Sequence, residues 1–175
     1  MKAKKQIRIF IVDDNNVFAH VLKADIQTAF AEMKIDISTF GTGEKCLEAL
    51  KTESPHMVIL DYHLDGRNAE AANGIKILDQ IKKEKPETYV IMLTGEDNID
   101  IALKSFKHGA SDYVVKTDTQ FRKIIYSLFN LLRLMSAKNE ALRYKRMVMA
   151  ISLGVAMLIG GTIAIEIIYP DFFVV

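Results

Sequence analysis

The chain has 175 residues, enough for one domain of ordinary size and an appendage. Its formal net charge of +1 supplies no whole-chain field for nucleic acid, and basic residues gather only before the last apolar run. The one cysteine, Cys46, excludes an internal disulfide framework and a cysteine-rich metal site; it reads as a small core residue and fits a reducing compartment.

The N-terminus is basic. The apolar stretch that follows, Ile7–Val12, contains Arg8 and stops at Asp13, so it is too short and too charged for a signal-peptide core. It reads as a first strand. Residues 17–33 repeat apolar side chains at helical spacing (Val17, Val21, Leu22, Ile26, Phe30) and predict a helix started by Asn15 or Asn16. Residues 34–40 alternate through Ile35 and Ile37 and predict a second strand, broken at Gly41 and Gly43. Residues 44–51 form a short helix with Cys46, Leu47 and Leu50 inward. Met57 to Leu60 make a central strand that ends at Asp61. A polar loop spans 62–73, and Gly74 opens a helix carrying Ile75, Leu78 and Ile81 that Pro86 closes. Tyr89 to Leu93 make a fourth strand ending at Thr94. Residues 99–108 form a fourth helix with Ile101, Ala102 and Phe106 as its apolar points, stopped by Gly109. Residues 113–115 make a fifth strand ending at Lys116, and a fifth helix starts near Phe121.

Five strand–helix pairs in strict alternation imply a parallel sheet with helices on both faces and right-handed crossovers. Sites on such sheets lie beyond the C-terminal strand ends. Four of those ends carry polar residues: Asp13-Asp14, Asp61, Thr94 and Lys116. Clustered carboxylates repel one another and call for a cation. Oxygen-only ligation that retains water is the Mg²⁺ pattern. Asp61, the central acid, is the natural nucleophile toward phosphorus, giving an acyl phosphate. Lys116 supplies a mobile point charge for a phosphoryl oxygen, and Thr94 a hydroxyl. No glycine-rich segment has the spacing of a nucleotide cradle, so the donor is small or another protein. Taken singly, each feature has a plain structural explanation: Asp13-Asp14 as a helix cap, Lys116 as a solvated lysine, Tyr113 as an edge-strand aromatic. His20, His56, His63 and His108 show no paired metal-ligand spacing.

The segments Ile-Val-Asp13-Asp14-Asn, Val-Ile-Leu-Asp61-Tyr, Met-Leu-Thr94-Gly95 and Gly-Ala-Ser-Asp-Tyr113-Val-Val-Lys116 resemble the receiver domain of bacterial two-component response regulators over about residues 5–134. The resemblance implies a doubly wound, flavodoxin-like α/β fold with strand order 2-1-3-4-5. It implies phosphorylation of Asp61 by a sensor histidine kinase or phosphotransfer protein, in a phosphoacceptor rather than an enzyme. Asp14, Asp61 and the backbone carbonyl of His63 would ligate Mg²⁺, with Asp13 helping through water. Thr94 and Tyr113 match the pair that rearranges on phosphorylation, and Lys116 the phosphate contact. Two departures stand out. Thr117 follows Lys116 where the family usually has proline, and the loop after Asp61 is longer, with Leu64-Asp65-Gly66 where a proline is usual. In that loop Arg67, Asn68 and Glu70 are the residues expected to change access to Asp61. The competing readings are an unphosphorylated binding or scaffold module and a stand-alone hydrolase. The hydrolase lacks a cap domain and a second acid two residues after Asp61, where His63 stands.

Phe121, Ile125, Leu128, Leu132, Met135 and Leu142 keep a near-heptad spacing, so the segment past Leu134 is either a plain linker helix or one that pairs with a second copy as a homodimer. Residues 147–165 carry no charge, and as a helix these 19 residues span roughly 28 Å, close to a ~30 Å hydrocarbon core. Lys138, Arg143, Lys145 and Arg146 precede the run, and only Asp171 follows it among charged residues past Glu166. The positive-inside rule then predicts a single-pass inner-membrane protein with its receiver in the cytoplasm. Ser152, Ala156, Gly160 and Ala164 fall four apart, as in a helix–helix seam, although glycine and alanine are common in membrane helices anyway. Glu166 lies near the far interface, with Tyr169, Phe172 and Phe173 as anchors. The expected organisation is a receiver over 1–134, a helical linker over 135–146, a membrane helix over 147–169 and a short tail over 170–175. The output protein is unnamed by any motif.

Overall fold

The computed structural model describes residues 6–64 and 74–168, with side chains to residue 163. The loop residues Asp65, Gly66, Arg67, Asn68 and Glu70, the anchors Tyr169, Phe172 and Phe173, and the tail lie outside the described residues. Ten elements follow in order: β1 (Ile7–Val12), α1 (Asn16–Ala29), β2 (Ile35–Phe40), α2 (Gly43–Leu50), β3 (Met57–Asp61), α3 (Gly74–Glu84), β4 (Tyr89–Thr94), α4 (Ile99–Lys107), β5 (Asp112–Val115) and α5 (Gln120–Ile168). The strands form one parallel sheet ordered β2-β1-β3-β4-β5.

Register places the site. Val12 pairs with Leu60, Asp61 with Leu93 and Thr94 with Val115. Asp13, Asp61, Thr94 and Lys116 therefore emerge at one edge, where parallel strands all end together. Strand periodicity splits the core into two layers. Phe10, Val12, Val58, Leu60, Val90 and Met92 bury one face against α2 and α3, through Cys46, Leu50, Ile75, Leu78 and Ile81. Ile9, Ile11, Ile59, Ile91 and Leu93 alternate to the other face and are wholly buried. On α1, Ala19, Leu22 and Ile26 are buried, and α1 meets the start of α5 through Phe18–Phe121 and Phe30–Phe129 ring contacts. Each buried aliphatic side chain contributes about 1.5–3 kcal/mol.

Several local expectations shift. α1 ends at Ala29, with Phe30 as its C-cap, four residues before the expected end. Val17 and Val21 are 74% and 45% exposed, because the buried face of α1 runs through Ala19, Leu22 and Ile26, which lies across the helix from Val17. On α4, Phe106 is exposed together with Ile99 and Leu103, while Ser105 is buried. The helix packs on β5, a four-residue edge strand that offers little sheet to cover. In α5, Leu128 is buried as expected, while Phe121, Ile125 and Leu132 are half-exposed and their neighbours Ile124, Ser127 and Leu131 are buried instead. Gly109 follows the C-cap His108 with φ of 93°, the left-handed conformation that closes α4.

The chain divides into two units, residues 1–130 and 131–175. α5 continues without a break from the first into the second as a 49-residue helix. Among the described residues it is the one helix long and apolar enough to cross a membrane. Its most apolar stretch has a mean hydropathy of 1.8 and no buried residue.

Candidate functional site

The site starts from how the chain leaves each strand. β1 ends at Val12, and Asp13 turns away with its Oδ1 accepting a hydrogen bond from Asn15 N–H at 2.9 Å. Asn15 in turn caps α1 by accepting from Phe18 N–H at 3.0 Å. The turn thereby buries Asp13 completely and leaves Asp14 exposed. β3 ends on Asp61, 4% exposed, whose Oδ1 accepts from His63 N–H at 3.4 Å. Behind it α3 begins against the backbone: a Cβ on Gly74 would stand 2.5 Å from the Asp61 carbonyl oxygen and 2.9 Å from Tyr62 Cα.

Lys116 ties the acids together. Its Nζ donates to Asp13 Oδ2 at 2.8 Å and to Asp61 Oδ2 at 2.7 Å. It also sits 4.9 Å from the Phe18 ring centroid, a cation–π approach. Phe18 stacks on Phe121 at 5.8 Å. One oxygen from each of Asp13, Asp14 and Asp61 lies within 4.8 Å of the others.

The electrostatics are not those of an isolated ion pair. Burial pushes the Asp61 carboxyl above its usual range, and Asp13 adds to the rise, while Lys116 pulls the other way through its hydrogen bond and charge. Burial pulls Lys116 down, yet the hydrogen bonds and charges of Asp13 and Asp61 outweigh it and hold the ammonium above its ordinary range. A single cation is thus firmly charged between two buried acids, and it does not fully neutralise them. An all-oxygen cluster with one exposed member and a deficit of positive charge fits a divalent cation.

Thr94 is buried at the end of β4, where its Oγ1 accepts from Glu96 N–H at 3.1 Å and its carbonyl accepts from Lys116 N–H at 2.7 Å. Tyr113 is not part of the carboxylate cluster. Its hydroxyl donates to Glu96 O at 2.9 Å, with Asn98 O at 3.4 Å. His63 Nε2 stands 3.6 Å from Glu96 Oε1. Glu96 and Phe18 are the two contributors that motif reading does not reveal. Glu96 acts through its backbone, which any residue type supplies. Phe18 looks like a core aromatic in a helical pattern and shows its second role only once α1 and Lys116 are brought together. Of the histidines, His56 Nδ1 accepts from Arg8 N–H at 3.1 Å, and His108 Nδ1 lies 2.7 Å from Asp79 Oδ1. Neither joins the acidic cluster. No peptide bond among the described residues is cis, including the one from Lys116 to Thr117.

Comparison with known proteins follows the same outline. The family profile described as "Response regulator receiver domain" matches residues 9–126. The DNA-binding transcriptional regulator NtrC of Escherichia coli strain K12 is 31% identical over 108 residues, which cover 62% of this chain and 21% of NtrC. The regulatory protein LuxO of Vibrio parahaemolyticus is 32% identical over 82 residues, covering 47% of this chain and 17% of LuxO. The chain thus spans about a fifth of the length of these curated relatives. Among solved structures, the BeF3-activated DrrB receiver domain superposes with a TM-score of 0.61 at 29% identity, covering 74% of this chain and 99% of that one. The receiver domain of NtrX from Brucella abortus superposes with a TM-score of 0.62 at 26% identity, covering 71% and 98%.

Proposed function

The chain belongs to the response regulator receiver domain family, and on that premise we propose that it is a membrane-tethered receiver whose Asp61 accepts a phosphoryl group from a histidine kinase or phosphotransfer protein. Receivers are phosphoacceptor signalling modules rather than enzymes in the ordinary sense. The observation that carries the reading is the ammonium of Lys116 shared by Asp13 and Asp61, with Asp14 open beside them. An Asp61 carboxylate oxygen forms the new O–P bond as the donor's P–N bond breaks and its imidazole nitrogen keeps the electron pair. Asp14, Asp61 and the His63 carbonyl would hold Mg²⁺, with Asp13 assisting through water. Bound there, the metal supplies positive charge against the phosphoryl oxygens. Lys116 turns from Asp61 Oδ2 to a phosphoryl oxygen, and the Thr94 hydroxyl leaves the hydrogen bond it accepts from Glu96 N–H to donate its own hydrogen to another phosphoryl oxygen.

That exchange has a path outward. Glu96 N–H holds Thr94, and Glu96 O holds the Tyr113 hydroxyl, so movement at Thr94 alters the anchoring of Tyr113. The face carrying Tyr113 then contacts an output protein. The domain scheme is a receiver over 1–134, a linker helix over 135–146 and a membrane span over 147–169, with the receiver on the cytoplasmic side. The uncharged run and the basic residues before it support this placement.

The deciding experiment incubates the full chain with Mg²⁺ and a small acyl-phosphate donor and reads intact mass. Wild type should gain one base-labile phosphate, and Asp61→Asn none. A phosphate mapped to serine, threonine or histidine would sink the assignment. No phosphate on wild type would favour the unphosphorylated scaffold.

A further inference from the structure

The last turn before the uncharged run gathers charge on an exposed helix. Arg143, Tyr144, Lys145 and Arg146 are all exposed, Tyr144 at 67%. Glu140, Arg143, Tyr144 and Met147 recur at helical spacing and, with Arg146, line a groove of about 420 Å³. Between residues 138 and 146 there are four cations, Lys138, Arg143, Lys145 and Arg146, and one acid, Glu140.

Depth decides what this groove meets. Headgroup layers add about 5–8 Å on each side of the hydrocarbon core. Arg143 to Arg146 occupy roughly 6 Å of helix rise, and Met147 opens the apolar run. If 147–165 lies in the hydrocarbon, this one turn lies among the headgroups. Guanidinium groups present paired donors that match phosphate oxygens, and a tyrosine prefers the same layer. Glu140 stands one turn further from the bilayer, clear of the phosphate plane.

We propose that the Arg143–Tyr144–Arg146 groove binds the phosphate of anionic phospholipid headgroups. The inference rests on the membrane-span reading. It adds a lipid preference that spanning alone does not require, since an apolar helix inserts in zwitterionic bilayers as well. The site ties the anchor to the charge of the leaflet, and its strength falls as salt screens the cations.

Flotation and native mass spectrometry of the full chain test it. The vesicles are phosphatidylcholine alone, and phosphatidylcholine with phosphatidylglycerol in equal parts. Wild type should float with both and retain phosphatidylglycerol above its share of the mixture. Arg143→Gln/Arg146→Gln should float equally well and retain it only at that share. Wild type retaining no excess, or the double variant retaining as much as wild type, overturns the headgroup site and leaves the span standing. Flotation only with the anionic vesicles keeps the headgroup site and removes the span. Flotation with neither removes both.

Discussion

Asp14 is the member of the acidic cluster that can be removed with least harm to the fold. It is exposed, whereas Asp13 and Asp61 are buried and share Lys116. Losing one of three crowded carboxylates relieves repulsion. Asp14→Ala should therefore keep or slightly raise the melting temperature, lose Mg²⁺ binding and accept no phosphate. Excess Mg²⁺ stabilises a protein that binds it by about 2.7 kcal/mol at a hundredfold over Kd. Wild type should show such a shift in thermal melts and Asp14→Ala should not; equal shifts would remove the metal site. Cys46 supplies a pH prediction. Burial pushes its thiol up from 9.0 to about 12. Below pH 9 both folded and unfolded chains keep the proton, and this group leaves stability unchanged. Between pH 9 and 12 only the unfolded chain releases it, so stability falls with rising pH, by at most about 4 kcal/mol from this group. Native protein at pH 8 should resist thiol reagents until it unfolds, and Cys46→Ala should flatten the alkaline loss. Rapid native labelling would contradict the buried placement.

At the scale of elements, the tightest fit is where α3 starts on the end of β3. A Cβ on Gly74 meets backbone atoms of Asp61 and Tyr62, which cannot turn aside. A Cβ on Gly43 instead meets the Ile77 side chain, at 2.5 Å, which can change rotamer. Gly74→Ala should cost about 1–3 kcal/mol by overpacking, even after the gain in helix propensity, and should slow phosphorylation by shifting Asp61. Gly43→Ala should cost less and leave phosphorylation near wild type. Urea unfolding and the acyl-phosphate assay measure both; equal costs would show that the α3 start yields freely. Element types and order were readable from apolar periodicity, because strands of a fully buried parallel sheet are nearly continuous apolar runs. Faces were less readable. Val17 and Val21 fit a helical stripe as well as Leu22 and Ile26 do, and only packing of α1 selects the stripe through Ala19. Phe106 misleads in the same way, since an edge strand leaves part of α4 uncovered.

At the scale of the whole molecule, the proposed membrane span carries its own predictions. Leu158 lies mid-run, 72% exposed, and an arginine there costs roughly 2.5–3.5 kcal/mol on insertion. Leu158→Arg should weaken membrane recovery after a carbonate wash without changing phosphorylation. Deleting residues 147–175 should release a soluble receiver that still takes phosphate on Asp61. Full-length protein in the soluble fraction, or an N-terminal tag on the non-cytoplasmic side, would overturn the anchored reading and leave the receiver family untouched.

The sequence by itself determined the sheet, its polar strand ends and the uncharged C-terminal run, because alternation, helical spacing and charge content are local properties of the chain. Only the tertiary structure decided which oxygens Lys116 joins, that Phe18 lies under its ammonium and that Glu96 holds both Thr94 and Tyr113. Lys116 and Asp13 are 103 residues apart. Their distance follows from the register of β1, β3, β4 and β5 together, a sum of pairings that no local pattern encodes.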